Sequence, residues 1–191
     1  MTYLILEGSA RPGSRTGIVA RHLAAALEAK GGGSARRLEP GQHLPDLVEG
    51  AVAGEPVDRF LPVVEQIGAA DGVILVTPEY HGSYSGVIKL VLDNLGYPSV
   101  LRGKPVGVVA LGAARFAGTR AADALLSVLA HIRARPFGRY LFLPAIQEQI
   151  SAAGELESPE LNAELADFVE EFRRFCACTQ GMEAAAEDSR P

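Results

Sequence analysis

Apolar runs of strand length alternate along this chain with segments whose apolar residues recur at helical spacing. The runs predict five strands, at residues 3–6, 35–38, 72–76, 105–111 and 140–143. The periodic segments predict five helices, at residues 16–30, 57–69, 87–95, 119–132 and 159 to about 176. Residues 39–56 are rich in proline and glycine, and we expect them to be irregular.

The first, third and fourth predicted strands are apolar on both faces, as strands are in a parallel sheet that helices cover on both sides. We therefore expect an α/β fold, a three-layer α/β/α sandwich around a five-stranded parallel sheet. The order 2-1-3-4-5 is one of the two common orders for such sheets. Since no repeat or linker divides the chain, we expect one domain at residues 1–178 and a disordered tail at residues 179–191.

The composition of the 191 residues, with 48% hydrophobic and 21% charged, is that of a soluble globular protein. We expect no membrane span and no signal peptide, and hence a cytoplasmic location. The net charge of -5 argues against nucleic acid as a partner. Cys176 and Cys178 are too close together and too isolated for a disulfide framework or a zinc site, so we expect no metal.

A polar, aromatic loop follows the third predicted strand. Pro78 favours extended geometry at Thr77, which ends the strand sharply. In open α/β sheets, ligands bind beyond the carboxyl ends of the strands. A surface loop does not need two tyrosines, a histidine and a proline, so we interpret this one as a ligand site. Its candidate residues are Glu79, Tyr80, His81, Ser83 and Tyr84.

A second loop, at residues 8–16, follows the first strand and opens a helix, where backbone N–H groups and the helix dipole favour an anion. The P-loop pattern fails because Ser14 stands in place of its lysine, and the dinucleotide fingerprint fails because Ala10 replaces its second glycine. Three hydroxyls and two arginines suit a single terminal phosphate better, which favours a mononucleotide. These residues are Ser9, Arg11, Ser14, Arg15 and Thr16.

In a sheet of order 2-1-3-4-5, the first and third strands are neighbours, and FMN binds at this point in flavodoxin. The two loops then lie side by side, with a phosphate site on one and aromatic and hydrogen-bonding groups on the other. Together they predict FMN, with its phosphate at residues 9–16 and its isoalloxazine ring against residues 78–84.

The motifs Gly8-Ser9-x-Arg11-x-x-Ser14 and Thr77-Pro78-Glu79-Tyr80-His81-Gly82-Ser83, with the Tyr-Ser-Gly-Val-Ile-Lys that follows, resemble the NADPH-dependent FMN reductase family. This family includes flavodoxin-like quinone, azo-dye and chromate reductases, and the resemblance covers about residues 3 to 145. It implies a flavodoxin-like fold, FMN as cofactor and NADPH or NADH as co-substrate. It also implies assembly into a homodimer or homotetramer.

The resemblance implies that Ser9, Arg11, Ser14, Arg15 and Thr16 hold the phosphate. It implies that the flavin ring is lined by Pro78, Glu79, Tyr80, His81, Gly82 and Ser83. The chain departs from the commonest pattern, since many relatives have Asn in place of His81. Arg115 and Phe116 also differ from the glycine-rich version of the loop at residues 112–119.

The function expected is an NAD(P)H oxidoreductase that passes hydride through FMN to a quinone, a flavin or a similar acceptor in ping-pong order. Because the flavin carries the chemistry, we expect no dedicated acid–base residue. Backbone N–H groups of residues 79–83 are expected to stabilise the reduced ring. Two alternatives stay open: an FMN-dependent dehydrogenase of a small anionic metabolite, and a flavodoxin-like electron carrier.

Overall fold

The structure, a computed structural model, describes residues 1–29, 31 and 33–188. Five parallel strands form one sheet of order β2-β1-β3-β4-β5, which confirms the predicted fold class. The strands are β1 (Thr2–Glu7), β2 (Ser34–Leu38), β3 (Gly72–Pro78), β4 (Pro105–Leu111) and β5 (Arg135–Leu143). Every residue of β3 and β4 is buried, as expected for central strands with a helical layer on each face.

Six helices form the two outer layers. One core cluster lies between the sheet and α1 (Arg15–Ala29) and α6 (Pro159–Asp188). The other lies beneath α2 (Leu44–Ala53), α3 (Leu61–Ala69), α4 (Gly86–Asp93) and α5 (Thr119–His131). The sequence leaves open whether the apolar face of α4 serves the core or a subunit contact; Ile88, Val91 and Leu92 are buried in the core.

Helix α2 contradicts the irregular segment predicted at residues 39–56. Pro45 lies in its first turn, where a missing N–H is tolerated. Gly50 lies inside the helix. This position requires glycine because a methyl group there would come within 2.0 Å of Oδ1 of Asn94 on α4. Proline and glycine both disfavour a helix locally, but the packing of α2 against α4 outweighs this preference.

Three other predicted boundaries are wrong. The helix predicted at residues 57–69 begins at Leu61, because Pro62 in its first turn has no N–H to donate to a preceding turn. β5 begins at Arg135, five residues before the prediction, although Pro136 and Gly138 lie within it; an edge strand tolerates both. Helix α6 does not end near Cys176 but continues to Asp188. Thr179 is buried and Nε2 of Gln180 donates to Oδ1 of Asp71 at 2.6 Å, so packing holds this part of the helix to the sheet. The tail predicted at residues 179–191 therefore begins inside α6, and residues 189–191 lie outside the described residues.

The two cysteines have different environments. Cys176 is fully buried, and burial raises the pKa of its thiol to about 12, whereas Cys178 is exposed. Burial with a raised pKa makes Cys176 a core residue rather than a nucleophile. Within the described ranges, no helix is both long enough and apolar enough to cross a membrane.

Candidate active site at the carboxyl edge of the sheet

A cavity of about 970 Å³ opens at the carboxyl edge of the sheet, within the size range of ligand pockets. The segments that follow β1, β3, β4 and β5 form its walls. From the predicted site residues, the cavity gathers Ser9, Arg11, Ser14, Arg15, Thr16, Pro78, Glu79 and Tyr80. The two loops singled out in the sequence thus share one cavity.

The loop after β1 presents the first turn of α1 to this cavity. Ser14 caps the helix, since its Oγ accepts from the N–H of Gly17 at 3.1 Å. The N–H groups of Arg15 and Thr16 have no acceptor within the helix, as in any first turn. The hydroxyls of Ser9 and Ser14 each accept a backbone N–H and keep a proton to donate. The loop therefore offers several donors to an anion.

Arg11 joins the two predicted loops. Its Nη2 donates to the hydroxyl of Tyr80, and its guanidinium lies 5.5 Å from the centre of that ring. The arginine predicted to bind the phosphate thus contacts the loop predicted to line the ring. Arg15, exposed in the first turn of α1, is the cation placed beside the helix terminus.

Glu79 has an anchoring role that the sequence only suggests. Its side chain is buried, Oε2 accepts from the N–H of Gly118 at 2.7 Å, and Oε1 lies 3.2 Å from Nη2 of Arg120. Its own N–H donates to the carbonyl of Leu111 at 2.7 Å. Glu79 therefore fixes the loop after β4 against the loop after β3, and its carboxylate is occupied.

The remaining ring-side residues form a tight turn. Tyr80 and Ser83 exchange two backbone hydrogen bonds, of 2.9 and 3.1 Å. His81 and Gly82 lie between them with φ of 51° and 78°, and positive φ at both positions is the signature of a type I′ turn. His81, Gly82 and Ser83 do not line the cavity walls given above. Their place against the flavin ring stays a prediction.

The hydrogen bonds of this turn reduce the number of N–H groups in residues 79–83 that could stabilise a reduced ring. The N–H groups of Glu79, Tyr80 and Ser83 are bound to carbonyls of the protein. Within the described chain, the structure gives no partner for the N–H groups of His81 and Gly82. Among the described residues, the N–H groups of the turn without a protein acceptor are therefore those of His81 and Gly82, which are available to a ligand.

The cavity wall formed by the segment after β5 was not predicted from the sequence. Nε2 of Gln147 donates to the carbonyl of Ala113 at 3.1 Å, which holds the loop after β4 from this side. Oε1 of Gln147 is buried without a partner among the described residues. Beyond it, residues 150–154 line the cavity. Most residues of this segment are small or apolar, so their side chains do not indicate a ligand site.

Glu7 lies at the end of β1, beneath the loop. Its carboxyl is buried and 2.6 Å from Nη1 of Arg37. Burial, which outweighs the attraction of Arg37, raises its pKa. Its Oε2 lies 2.8 Å from the position that a methyl group on Gly17 would take, so the carboxyl underlies the first turn of α1. Nothing in the sequence around Glu7 distinguishes it as a candidate site residue.

The donors present fit FMN. Hydroxyls, first-turn N–H groups and Arg15 suit a phosphate monoester, and the cavity extends from them to Pro78 and Tyr80, beside which a flat ring has room. Oε1 of Gln147, without a partner in the described chain, adds an acceptor at the same wall. A second cavity, of about 520 Å³, adjoins the loop after β1 on the β2 side.

Comparison with known proteins identifies the family. A profile described as NADPH-dependent FMN reductase matches residues 1–148. NADPH azoreductase from Bacillus sp. (strain OY1-2) is 28% identical over 182 residues, 92% of each chain. FMN-dependent NADPH-azoreductase from Staphylococcus haemolyticus (strain JCSC1435) is 31% identical over 120 residues, 57% of this chain and 59% of the relative.

The solved structures show the fold. An oxidoreductase from Corynebacterium diphtheriae superposes with a TM-score of 0.75 at 22% identity, over 92% of this chain and 96% of that one. A flavodoxin from the domain Archaea superposes with a TM-score of 0.64 at 10% identity, over 93% of this chain and 99% of that one. With its sheet order and the profile match over most of its length, the chain belongs to the NADPH-dependent FMN reductase family and is an NAD(P)H-dependent FMN oxidoreductase.

Proposed function

We propose that the cavity at the carboxyl edge binds FMN, with the phosphate at Ser9–Thr16 and the isoalloxazine ring against Pro78–Ser83. The observation that carries this proposal is the capped first turn of α1, which opens into the same cavity as Pro78 and Tyr80. Arg15 neutralises the phosphate, while the hydroxyls and N–H groups of the loop orient it. Arg11 packs on Tyr80 and sets the position of the ring-side loop.

FMN held there would supply two-electron chemistry between NAD(P)H and a quinone, flavin or similar acceptor, with the two substrates using the site in turn, which is a ping-pong order. The protein contributes position and electrostatics. Glu79 and Gln147 hold the loop after β4 from two sides. The N–H groups of His81 and Gly82, which have no partner among the described residues, would be the donors for the electron-rich ring edge. The name of the Bacillus relative, an NADPH azoreductase, supports an azo dye as a second class of acceptor.

Anaerobic stopped-flow of the FMN-loaded protein tests this function. Mixing with NADPH or NADH should bleach the flavin band rapidly, and a second mixing with quinone should restore it. If neither pyridine nucleotide bleaches the band, but a small hydroxy or carboxylic acid does, the enzyme is a dehydrogenase of that metabolite. If bleaching needs the acceptor and NAD(P)H present together, the ping-pong order is wrong.

We propose further that the chain acts as a homodimer or homotetramer. Tyr80, which lines the cavity, is 40% exposed, and Phe116, in the loop after β4 whose first residues line the cavity, is 80% exposed. Exposed aromatic residues at a ligand site are typical of contact surfaces. The cytoplasmic location stays a prediction from the sequence.

A further inference from the structure

Residues 149–157 form a small β-hairpin between β5 and α6, beyond the segment that the family profile matches. Its base is joined by the pairing of Ile150 with Leu156 and by the N–H of Glu157 bound to the carbonyl of Gln149 at 3.0 Å. Leu156 is buried in the core beneath α1 and α6, and Ile150 packs against the same core. The base is therefore fixed.

The tip of the hairpin forms one wall of the FMN cavity, which residues 150–154 line. Within the tip, the N–H of Ser151 donates to the carbonyl of Glu155 at 2.9 Å, and Oγ of Ser151 accepts from the N–H of Glu155 at 3.1 Å. These bonds shape the tip but do not attach it to the rest of the protein. The tip consists of small residues and has little apolar surface to bury.

Arg21 of α1 attaches the tip to the helix that begins at the phosphate loop. Its Nη2 donates to the carbonyl of Gly154 at 2.8 Å. Beside it, Nε2 of His22 lies 3.5 Å from Oε2 of Glu155, an exposed carboxylate. The shorter of the two contacts comes from a charged donor, so Arg21 carries most of the attachment.

We propose that Arg21 is a positioning residue that latches the hairpin against α1, and that the latched hairpin retains FMN as a tightly held prosthetic group. This inference rests on the proposed function, because it places FMN in the cavity. The loops after β1, β3 and β4, with Ile18 and Arg21 of α1, form the other walls. Opening the hairpin removes the remaining wall and gives the flavin a path to solvent.

The test compares the release rates of FMN and of riboflavin from four proteins: wild type, Arg21→Met, Gly154→Ala and Arg102→Met. Arg21→Met removes the donor and keeps an unbranched apolar stem. Gly154 has a φ of 80°, so Gly154→Ala strains the tip without changing a charge. Arg102, exposed in the turn before β4 at the opposite edge of the sheet, is the matched control.

Arg21→Met should release FMN about tenfold faster than wild type, the factor expected for loss of one hydrogen bond from a charged donor. Gly154→Ala should also release FMN faster, because an alanine at this positive φ strains the tip that Arg21 holds. They should release riboflavin faster by a similar factor and show faster amide hydrogen exchange at residues 150–156. Arg102→Met should match wild type. A direct attraction between Arg21 and the phosphate would instead speed the release of FMN alone and leave Gly154→Ala unchanged, which would overturn the latch.

Hydrogen exchange also separates this inference from the function on which it rests. If FMN protects residues 9–16 of the wild type but Arg21→Met releases it at the wild-type rate, the latch is wrong and the site stands. If bound FMN protects neither residues 9–16 nor the hairpin, FMN lies elsewhere and both proposals fail.

Discussion

His81 is held at a φ of 51° by the two hydrogen bonds that join Tyr80 and Ser83 across the turn. A positive φ is tolerated best by Gly and Asn, and His is among the side chains enriched there. This backbone requirement accounts for His81 and predicts that Asn would serve equally well at this position. The residue is selected first by the turn, whatever its side chain adds for the ligand.

The turn predicts the effect of substitutions at His81. Asn should keep or slightly raise the free energy of unfolding, whereas Val, which is β-branched, should lower it by about 1–2 kcal/mol. Urea denaturation of the two variants and the wild type measures this difference. Equal losses for Asn and Val would show that the imidazole itself stabilises the turn.

Glu7 predicts a pH dependence of stability. Because burial raises its pKa above the ordinary value, the folded protein favours the protonated carboxyl. The contribution of Glu7 to stability is therefore fully present below the ordinary carboxyl pKa and is lost as the pH rises through the raised one. The stability of wild type relative to Glu7→Gln should be greater at pH 4 than at pH 7. Urea denaturation at both pH values measures it, and a difference that grows with pH would contradict the assignment.

At the scale of elements, α2 and α4 are packed through one close contact. Oδ1 of Asn94 lies against Gly50, while Nδ2 of Asn94 donates to the carbonyls of Leu47 and Leu90 at 3.0 and 2.8 Å. These bonds hold the amide in place, so it cannot move aside for a larger residue.

Gly50→Ala should therefore lower the free energy of unfolding by about 1–3 kcal/mol, the usual cost of overpacking. Gly68 in α3 is the matched control, because a methyl group there would meet only Val100, at an ordinary 3.6 Å. Gly68→Ala should raise stability by up to about 1 kcal/mol through helix propensity. Thermal denaturation of both variants checks the opposite signs; two changes of the same sign would refute the contact.

The elements that the sequence predicts well are those whose local pattern agrees with their packing. β1, β3 and β4 are apolar runs because both of their faces are covered, and their order follows from the usual rules for such sheets. α2 was missed because Pro45 and Gly50 resemble breakers, and the contact with Asn94 that explains Gly50 joins distant parts of the chain. The start of β5 was missed because Pro136 and Gly138 disfavour a strand locally, although an edge strand tolerates both.

The site shows the same division. The meeting of residues 9–16 and 78–80 at one cavity could be predicted, because clusters of polar and aromatic residues directly follow buried strands. The hairpin at residues 149–157 could not, since its small residues carry no chemical signal. Its attachment depends on a bond between Arg21 and a backbone carbonyl far along the chain.

At the scale of the whole molecule, the exposed Phe116 in the loop after β4 predicts an assembly. Light scattering should give a mass of two or four times the 20.1 kDa chain. Phe116→Ser should shift the population towards the monomer, because it removes the largest exposed apolar side chain of that loop. Val52, 85% exposed on α2, is the control, and Val52→Ser should leave the mass unchanged. A monomeric wild type would reject the assembly.

The central claim is that the cavity holds FMN by its phosphate, and the ratio of FMN to riboflavin affinity tests it most directly. Titration of the flavin-free protein should show FMN binding at least about 100-fold tighter than riboflavin, since Arg15 and the donors of the loop after β1 would form charge-assisted hydrogen bonds with the phosphate. Arg15→Met should reduce this ratio about tenfold by weakening FMN alone, and Arg102→Met should leave it unchanged. Equal affinities for the two flavins, or a ratio that Arg15→Met does not alter, would contradict the account.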